Sequence, residues 1–410
     1  MHWLLIGYMF LFIHRPFEFW TILGDIHLER IYIGCVFMFW LMQPKRWLPN
    51  PQHYAYFFFA FGVLGCWIVS PYAQQGQQVV EDWFKIVVFY LLFVTVINSE
   101  EKLRLMALGF VFVMGIYMSH SFKEYLSGRH TFRMGIPRMI GVDTSQGDPN
   151  SFGASIVFAL PFAALFWNTA KSFWIKFGAA IYFCLSAGCI LLTGSRSSLL
   201  GLVLWAGIVI LRSRHRWLGI GLAVAVSPLL FLALPDSLQT RFETIVNPDV
   251  GPANAKLSGE GRLEGLINGF ALWMQNPATG CGPGAWRPAT GSTIESHNLY
   301  GQLIGETGSV GAIGFVSILI CFALNLCWMK QAQKRDPVRK EAFVYPLSGA
   351  VGMGIFLMLF EGNFGHNLFR HNWLWYGGFL IIARHCVVTR PAPVMRLYSA
   401  RVRMPYAIAA

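Results

Sequence analysis

Twelve apolar segments separated by short polar stretches run through the whole chain and constrain its fold more than any other feature. A helix needs roughly 20 largely apolar residues to cross a bilayer, and most of these segments approach that length. The pattern predicts an all-α polytopic membrane protein with about 12 transmembrane helices, in which residues 1–410 form a single membrane domain. The segments lie near 1–13, 31–42, 54–70, 83–97, 103–119, 152–168, 173–193, 197–211, 217–234, 309–328, 343–362 and 372–388.

The amino-acid composition agrees with a membrane protein and excludes two other classes. Hydrophobic residues make up 55% of the chain and charged residues only 13%, whereas soluble domains carry about 25% charged residues. An aromatic fraction of 16% is too high for a disordered chain and suits the aromatic belts of membrane helices. We therefore expect neither a water-soluble enzyme nor a disordered protein.

The basic residues predict the orientation of the chain in the membrane. The net charge is +12, which by itself would be compatible with nucleic-acid binding. With twelve spans and the N-terminus inside, however, every short inside loop is basic, and these loops together with the tail hold more than half of the 32 Lys and Arg residues. Because cytoplasmic loops normally carry such an excess, we expect membrane lipids as partners and no nucleic acid.

Two long polar segments are predicted on the outer face, where basic residues are otherwise rare. Segment 120–151 is a basic outer loop, and either acceptor phosphates or lipid headgroups would explain its charge. Segment 235–308 lies between spans 9 and 10 and is predicted to be the catalytic loop, since long aqueous segments of compact proteins are usually functional. The basic side chains of the first segment are Lys123, Arg129, Arg133 and Arg138.

Arg196 is the first candidate for an anion site. It lies in the string Thr-Gly-Ser-Arg-Ser-Ser between two predicted spans. Ser195 is expected to cap the next helix, which places Arg196 in its first turn beside free backbone N–H groups. This arrangement suits a phosphate. A snorkelling arginine that anchors a helix end explains the same residue equally well.

Arg262 is predicted at the start of an amphipathic helix on or near the membrane surface. Apolar residues at 263, 266, 267, 270 and 273–274 follow helical spacing. The alternative is a solvated loop arginine.

His297 is the candidate base, because a neutral imidazole can accept a proton near pH 7. A lone loop histidine is nevertheless more often inert than catalytic. No pair of Cys or His stands at ligand spacing in this segment, so no metal is expected. A second polar cluster, which could support the site or contact an acceptor, consists of Glu361, Asn363, His366, Asn367 and Arg370.

The sequence Asp148-Pro149-Asn150-Ser151 precedes the sixth predicted span. It is typical of a helix start, with Asn150 or Ser151 expected as the N-cap and the proline at the helix entry. Asp148 could in addition orient a sugar or an arginine.

Three motifs follow one another in the second half of the chain. The first is the Thr-Gly-Ser-Arg-Ser-Ser string at 193–198, followed by the Arg262 helix. The second is Asn276-Pro277 with Gly280 and Gly282, and the third reads Ser-His-Asn-x-Tyr-x-Gln-Leu-x-x-Glu-x-Gly over 296–308. Over roughly residues 190–320 the chain resembles the O-antigen ligase and polymerase superfamily of bacterial inner membranes.

The resemblance implies an all-helical C-type glycosyltransferase with its site facing the periplasm of the cell inner membrane. The donor would be a glycan on undecaprenyl diphosphate, and the acceptor a sugar hydroxyl of lipid A–core or of another lipid-linked glycan. His297 matches the catalytic histidine, and Arg196 and Arg262 match the arginines that hold the diphosphate. No metal or other cofactor is implied. Residues expected to support this site or to contact the acceptor are Asn298, Glu306, Glu295, Arg287, Asp148, Asn150, Arg133, Arg138 and Glu361.

Other functions remain open at this stage. The motifs do not separate a ligase from a polymerase that extends lipid-linked polysaccharide. A peptidoglycan glycosyltransferase of the shape–division family would be expected to carry an aspartate where His297 stands. A lipid-linked sugar flippase or other transporter would place ionisable residues at the bilayer midplane and often show repeated halves, whereas here the polar residues gather at one face and no repeat is visible.

Overall fold

The computed structural model of the protein describes residues 1–133, 135–143, 147–245, 247, 254–336 and 341–389. The described residues are mostly helical, at 77%, with almost no strand. The elements in chain order are α1 His2–His14, α2 Pro16–Phe19, α3 Thr21–Asp25, α4 Leu28–Leu41, α5 Pro51–Ile68, α6 Ala73–Val96, α7 Glu100–Leu126, β1 Thr131–Arg133, β2 Ile136–Arg138, α8 Pro149–Thr169, α9 Phe173–Thr193, α10 Arg196–Arg212, α11 Arg216–Leu232, α12 Asp236–Glu243, α13 Asn254–Gln275, α14 Trp286–Thr290, α15 Leu299–Arg335, α16 Val344–Glu361 and α17 Asn372–Val388.

Each of the twelve predicted apolar segments coincides with one helix. Five of the described helices are both long and apolar enough to cross a membrane, namely α7, α8, α9, α15 and α16. Helices α1 and α11 are apolar but shorter. The structure therefore fits an all-α membrane protein, while the number of twelve spans and the outer position of segment 235–308 stay predictions.

Helix α8 lies at the centre of the bundle and packs against α7, α9, α10 and α16. It is apolar on nearly all sides and buried along most of its length, as expected for a helix surrounded by other helices. Aromatic side chains fill the space around it: the ring of Phe162 lies 5.0 Å from that of Tyr376 and 5.1 Å from that of Phe110. In contrast, α11 buries none of its residues within the described chain.

The two segments predicted as loops contain regular structure. Helix α7 continues to Leu126, and β1 and β2 form an antiparallel hairpin with Thr131 opposite Arg138. Segment 235–308 holds α12, α13, α14 and the first turns of α15. The reason is that polar residues end an apolar pattern without ending a helix, so hydropathy marks the membrane-length part and not the helix boundary.

Helices α13 and α15 run side by side at very short range because glycines line their contact. A Cβ atom added to Gly301 would clash with the backbone of Gly265 and would come within 3.0 Å of Leu266. Gly269 faces Gly301 and Gly305 in the same way. The start of α15 is thereby held against the middle of α13.

Helix α15 is kinked at Gly308, whose backbone (φ 58°, ψ −157°) leaves the helical region. The chain after α13 packs into this kink. There Cys281 N donates to Gly305 O at 2.8 Å, and Ser309 N donates to Pro277 O at 2.8 Å. Glycine adopts a positive φ at low cost because it has no Cβ atom. The kink therefore explains why the third motif ends in Gly308.

The glycine contact between α13 and α15 makes a direct prediction about stability. Gly301→Ala is expected to lower the free energy of unfolding by about 1–3 kcal/mol, because the added methyl meets backbone atoms that cannot move aside. Gly221→Ala on α11 is the matched control, since its Cβ would meet nothing within 4 Å. Thermal unfolding in detergent measures both variants, and equal midpoints for the two would contradict the close packing.

Candidate active site

A small pocket lies where the first turns of α8 and α10, the end of α16 and the segment before α15 meet. Its open volume is about 30 Å³. Asp148 and Asn150 come from the start of α8, Ser197 from α10, and His297 from the residues before α15. The remaining wall is the loop between α16 and α17, with Glu361, Phe364, His366, Asn367 and Arg370. The structure thus brings together four of the segments that the sequence predicted separately.

His297 is held in the pocket by its chain neighbours. A Cβ on Gly265 of α13 would lie 3.5 Å from His297 N, so α13 passes directly behind this residue. On the other side, Leu299 N donates a 2.7 Å hydrogen bond to Gly362 O at the end of α16. The ring of His297 stands 6.2 Å from that of His366. The contact with α13 and the hydrogen bond from Leu299 to Gly362 together hold the backbone that carries the imidazole.

Arg262 of α13 lies beside the pocket, against its lining residue Phe364. Its guanidinium lies 4.7 Å from the centre of the Phe364 ring, a cation–π contact. Burial lowers the pKa of Arg262, the nearby Arg196 lowers it further, and Glu361 opposes this shift. The positive charge of Arg196 and the opposite charge of Glu361 therefore both act on Arg262.

The prediction that Arg262 begins a helix is wrong, since α13 starts eight residues earlier at Asn254. The amphipathic pattern itself is confirmed. Leu263, Ile267, Phe270 and Met274 are exposed along one side of α13, while the opposite side carries the glycines that contact α15. The missed start has a simple cause: residues 254–261 contain two glycines and few apolar side chains, so periodicity cannot detect them.

Arg196 is the first residue of α10, as predicted, and Ser195 caps this helix by accepting from Ser198 N. The chain reverses just before it at Gly194, in a left-handed conformation. Arg196 Nη1 donates to Thr244 Oγ1 at 3.0 Å, and Arg241 Nε donates to Gly194 O at 2.6 Å. Helix α12 therefore packs over the turn at Gly194, and Thr244 at its end holds the guanidinium of Arg196.

Glu361 is the buried carboxylate of the pocket, with 2% of its surface exposed. It lies against Gly201 of α10, where any larger residue would clash with Oε1, and it is hydrogen-bonded by Ser197. Its Oε1 atom has no hydrogen-bond partner among the described residues. Because buried polar atoms are nearly always paired, this oxygen is available to a donor group of a ligand.

The start of α8 differs from its prediction in one respect. Asp148 is the N-cap, accepting from Asn150 N at 3.0 Å and Ser151 N at 3.3 Å, whereas Asn150 or Ser151 was expected there. Asn150 Oδ1 instead accepts from Arg138 Nη2 at 2.9 Å. Asp and Asn have similar capping preferences, so the sequence alone could not choose between adjacent candidates.

Arg370 lines the pocket directly. Its Nη1 donates to Ser155 Oγ at 2.7 Å and its Nη2 to Ser151 O at 3.3 Å. Burial lowers the pKa of Arg370, and Asp148 opposes this. The sequence identified Arg370 within a polar cluster but gave no role to Ser197 or Phe364. Neither residue carries a signal of its own, since their roles depend on contacts between segments far apart in the chain.

A model of the O-antigen ligase family matches residues 181–316. The matched segment contains both arginines and His297. The similarity to the O-antigen ligase family therefore covers residues 181–316. The resemblance predicted from the sequence is thereby confirmed, and it supports an O-antigen ligase or polymerase type of function, with lipid-linked glycan and glycan acceptor as substrates in a membrane setting. No curated protein matches the chain.

Several residues expected around the O-antigen ligase site lie outside the pocket lining. Asn298 caps α15 through Tyr300 N and Gly301 N. Glu306 accepts from Gly284 N at 3.0 Å and so holds the glycine loop against α15. Asn298 and Glu306 therefore stabilise α15 and the glycine loop without lining the pocket.

Three further predicted residues also lie outside the pocket lining. Arg287 and Glu295 pair with each other at 2.8 Å near the surface; burial raises the pKa of Glu295, and Arg287 opposes this. Arg138, 2% exposed, donates from Nε to Thr193 O at 2.7 Å and ties the hairpin to α9. The side chain of Arg133 lies outside the described residues. Within the described ranges, no group of three His, Cys, Asp or Glu side chains is arranged to hold a metal.

Proposed function

We propose that the protein transfers a glycan from undecaprenyl diphosphate to a sugar hydroxyl of lipid A–core, as an O-antigen ligase acting at the periplasmic face of the inner membrane. The observation that carries this proposal is that His297 and Ser197, the residue after Arg196, line one pocket, while Arg262 contacts the Phe364 ring of the same pocket. His297 and both arginines lie in the segment that matches the O-antigen ligase family. The reaction would be metal-independent and would invert the anomeric centre.

The two arginines supply what a diphosphate leaving group requires. When the bond between the anomeric carbon and the diphosphate oxygen breaks, negative charge develops on that oxygen. The charge of Arg196 disfavours that of Arg262, so an anion bound by both guanidinium groups would relieve this repulsion as well as form charged hydrogen bonds. Stabilisation of this kind replaces the role that Mg²⁺ has in other phosphate chemistry.

His297 completes the reaction from the acceptor side. The acceptor oxygen forms the new bond to the anomeric carbon while its proton passes to the imidazole. One displacement on the side opposite the leaving group inverts the carbon. Glu361 Oε1, which has no partner among the described side chains, would accept a hydrogen bond from a neighbouring hydroxyl of the acceptor sugar.

Reconstitution with defined substrates tests the proposal. The protein in proteoliposomes receives a lipid-linked oligosaccharide together with either lipid A–core or a second copy of the donor. We expect a single product in which one glycan is added to lipid A–core. A ladder of longer lipid-linked chains would assign polymerase activity instead, and movement of the donor across the bilayer without any new glycosidic bond would support a flippase.

Metal removal gives a second prediction. Transfer is expected to keep its full rate in excess EDTA, because the diphosphate charge would be neutralised by arginines. A control reaction with added Mg²⁺ should show the same rate within about twofold. A loss of activity in EDTA that Mg²⁺ restores would contradict the arginine-based mechanism.

A further inference from the structure

A second cavity runs along the bundle between α7 and α9 and shares no lining residue with the candidate active site. It is a groove of about 670 Å³. Its walls are almost entirely apolar, with Phe112 from α7, Ile175 and Tyr182 from α9, and Phe166 from α8 as its floor. Phe112 and Ile175 are exposed, so this surface needs an apolar occupant.

Two glycines give the groove its depth. A Cβ added to Gly178 of α9 would meet no atom within 4 Å, and one added to Gly115 of α7 would meet only the Tyr182 ring, at 3.7 Å. The space above both residues is therefore open because a side chain is missing on each wall. A flexible hydrocarbon chain fits such a cleft, whereas a packed helix would need a broader surface.

The groove has the length of one membrane leaflet or slightly more. Its lining on α7 extends from Leu108 to Lys123, a distance of about 22 Å at 1.5 Å per residue. Half of a hydrocarbon core of roughly 30 Å is about 15 Å. A chain that begins at the headgroup level of Lys123 would thus be covered as far as the bilayer centre.

The predicted outer end of the groove is polar and cationic. Ser119, His120 and Lys123 line it within about one turn of α7. The side chain of Lys123 is exposed, and its ammonium group forms no hydrogen bond or ion pair with any described residue. His120 is held in place by His14 at 2.9 Å and by Glu124 at 3.7 Å.

A second cation belongs to the same end. The guanidinium of Arg129 lies 5.4 Å over the Phe19 ring, which in turn packs 5.0 Å from the ring of His120. Arg129 Nη2 donates to Val142 O at 2.8 Å, but its buried Nη1 has no hydrogen-bond partner in the described part of the chain. An apolar groove that ends at two cations, one exposed and one with an unused N–H, complements a hydrocarbon chain carrying a phosphate.

We propose that this groove binds an anionic glycerophospholipid, with one acyl chain between α7 and α9 and the phosphate at Lys123 and Ser119. The inference is independent of glycan transfer. A lipid bound here fills the cleft between two helices that both pack on α8, and α8 carries Asp148 and Asn150 into the candidate site. It also gives a role to the basic segment 120–151.

Lipid titration of delipidated protein followed by native mass spectrometry tests this site. The probes are phosphatidylglycerol and phosphatidylcholine with identical acyl chains. Wild-type protein is expected to bind phosphatidylglycerol about fivefold more tightly, since one lysine near a membrane surface contributes about that factor. Equal affinity for the two lipids would overturn the proposal.

Two variants, each with a matched control, test the binding of the acyl chain and the binding of the headgroup separately. Gly178→Leu places a side chain in the groove, where its Cβ would meet no atom within 4 Å, and should weaken the binding of both lipids roughly tenfold or more. Gly188→Leu is on the same helix, also opens onto free space, lies outside the groove and should change nothing. Lys123→Ala should remove only the preference for phosphatidylglycerol, whereas Lys102→Ala at the other end of α7 should keep it.

Two further results would contradict the proposed lipid site. If Gly178→Leu binds lipid like Gly188→Leu, the groove is not the site and Lys123 merely reaches toward the membrane surface. If a polyprenyl phosphate displaces phosphatidylglycerol completely at equal concentration, the groove takes an isoprenoid chain and the proposal fails.

Discussion

His297→Ala is expected to lower the rate of glycan transfer by about 10²–10⁴-fold, the contribution typical of a general base. Donor binding should remain within about twofold of wild type, because the imidazole acts on the acceptor hydroxyl and not on the diphosphate. Single-turnover transfer from a labelled lipid-linked oligosaccharide measures the chemical step, and pull-down of the same donor measures binding. Slow transfer with unchanged donor binding would show that the base is missing while the protein remains folded.

The matched control for this variant is His215→Ala, at an exposed histidine before α11. It should transfer glycan at the wild-type rate. His366→Ala is informative because the two rings are 6.2 Å apart: if its loss equals or exceeds that of His297→Ala, the base has been assigned to the wrong histidine. Retained transfer in His297→Ala itself would remove His297 from the mechanism.

Replacing either arginine of the pair should act on the donor side. Arg196→Ala and Arg262→Ala are each expected to reduce kcat/KM for the donor by about 10²–10³-fold, the effect of removing one donor of an oxyanion site. Lysine keeps the charge but not the bidentate geometry, so Arg196→Lys and Arg262→Lys should recover only part of the loss. Titration of the lipid-linked donor at saturating acceptor measures this parameter.

Arg287→Ala is the control for the arginine pair. Arg287 is exposed, lies in the same family segment and pairs with Glu295 at 2.8 Å, and surface pairs of this kind contribute little. Its donor kcat/KM should stay within about twofold of wild type. If the two pocket arginines behave like Arg287, the diphosphate is bound elsewhere.

Much of the fold was accessible from the sequence because helix position depends on local pattern. All twelve apolar segments are helices, and Ser195 caps α10 as its residue type and position predicted. Helix ends were less accessible. Helix α13 begins at Asn254 and not at Arg262, and α7 continues past Lys123, because polar helix-forming residues leave no hydropathy signal.

The site was predictable only as separate pieces. The sequence identified Arg196, Arg262 and His297, yet it could not show that Gly265 and Gly301 bring two of these segments together, or that Phe364 lies under the Arg262 guanidinium. Glu306 was expected to support the site or to contact the acceptor, but the sequence did not show that it accepts a hydrogen bond from Gly284. These contacts join residues that are tens to about one hundred positions apart, and no local pattern encodes them.

A structure of the protein with a non-transferable donor analogue tests the central claim most directly. We expect the diphosphate within hydrogen-bond distance, about 2.7–3.2 Å, of both Arg196 and Arg262, with the anomeric carbon facing His297. A diphosphate bound away from these guanidinium groups, or a sugar on the side remote from the imidazole, would contradict the account.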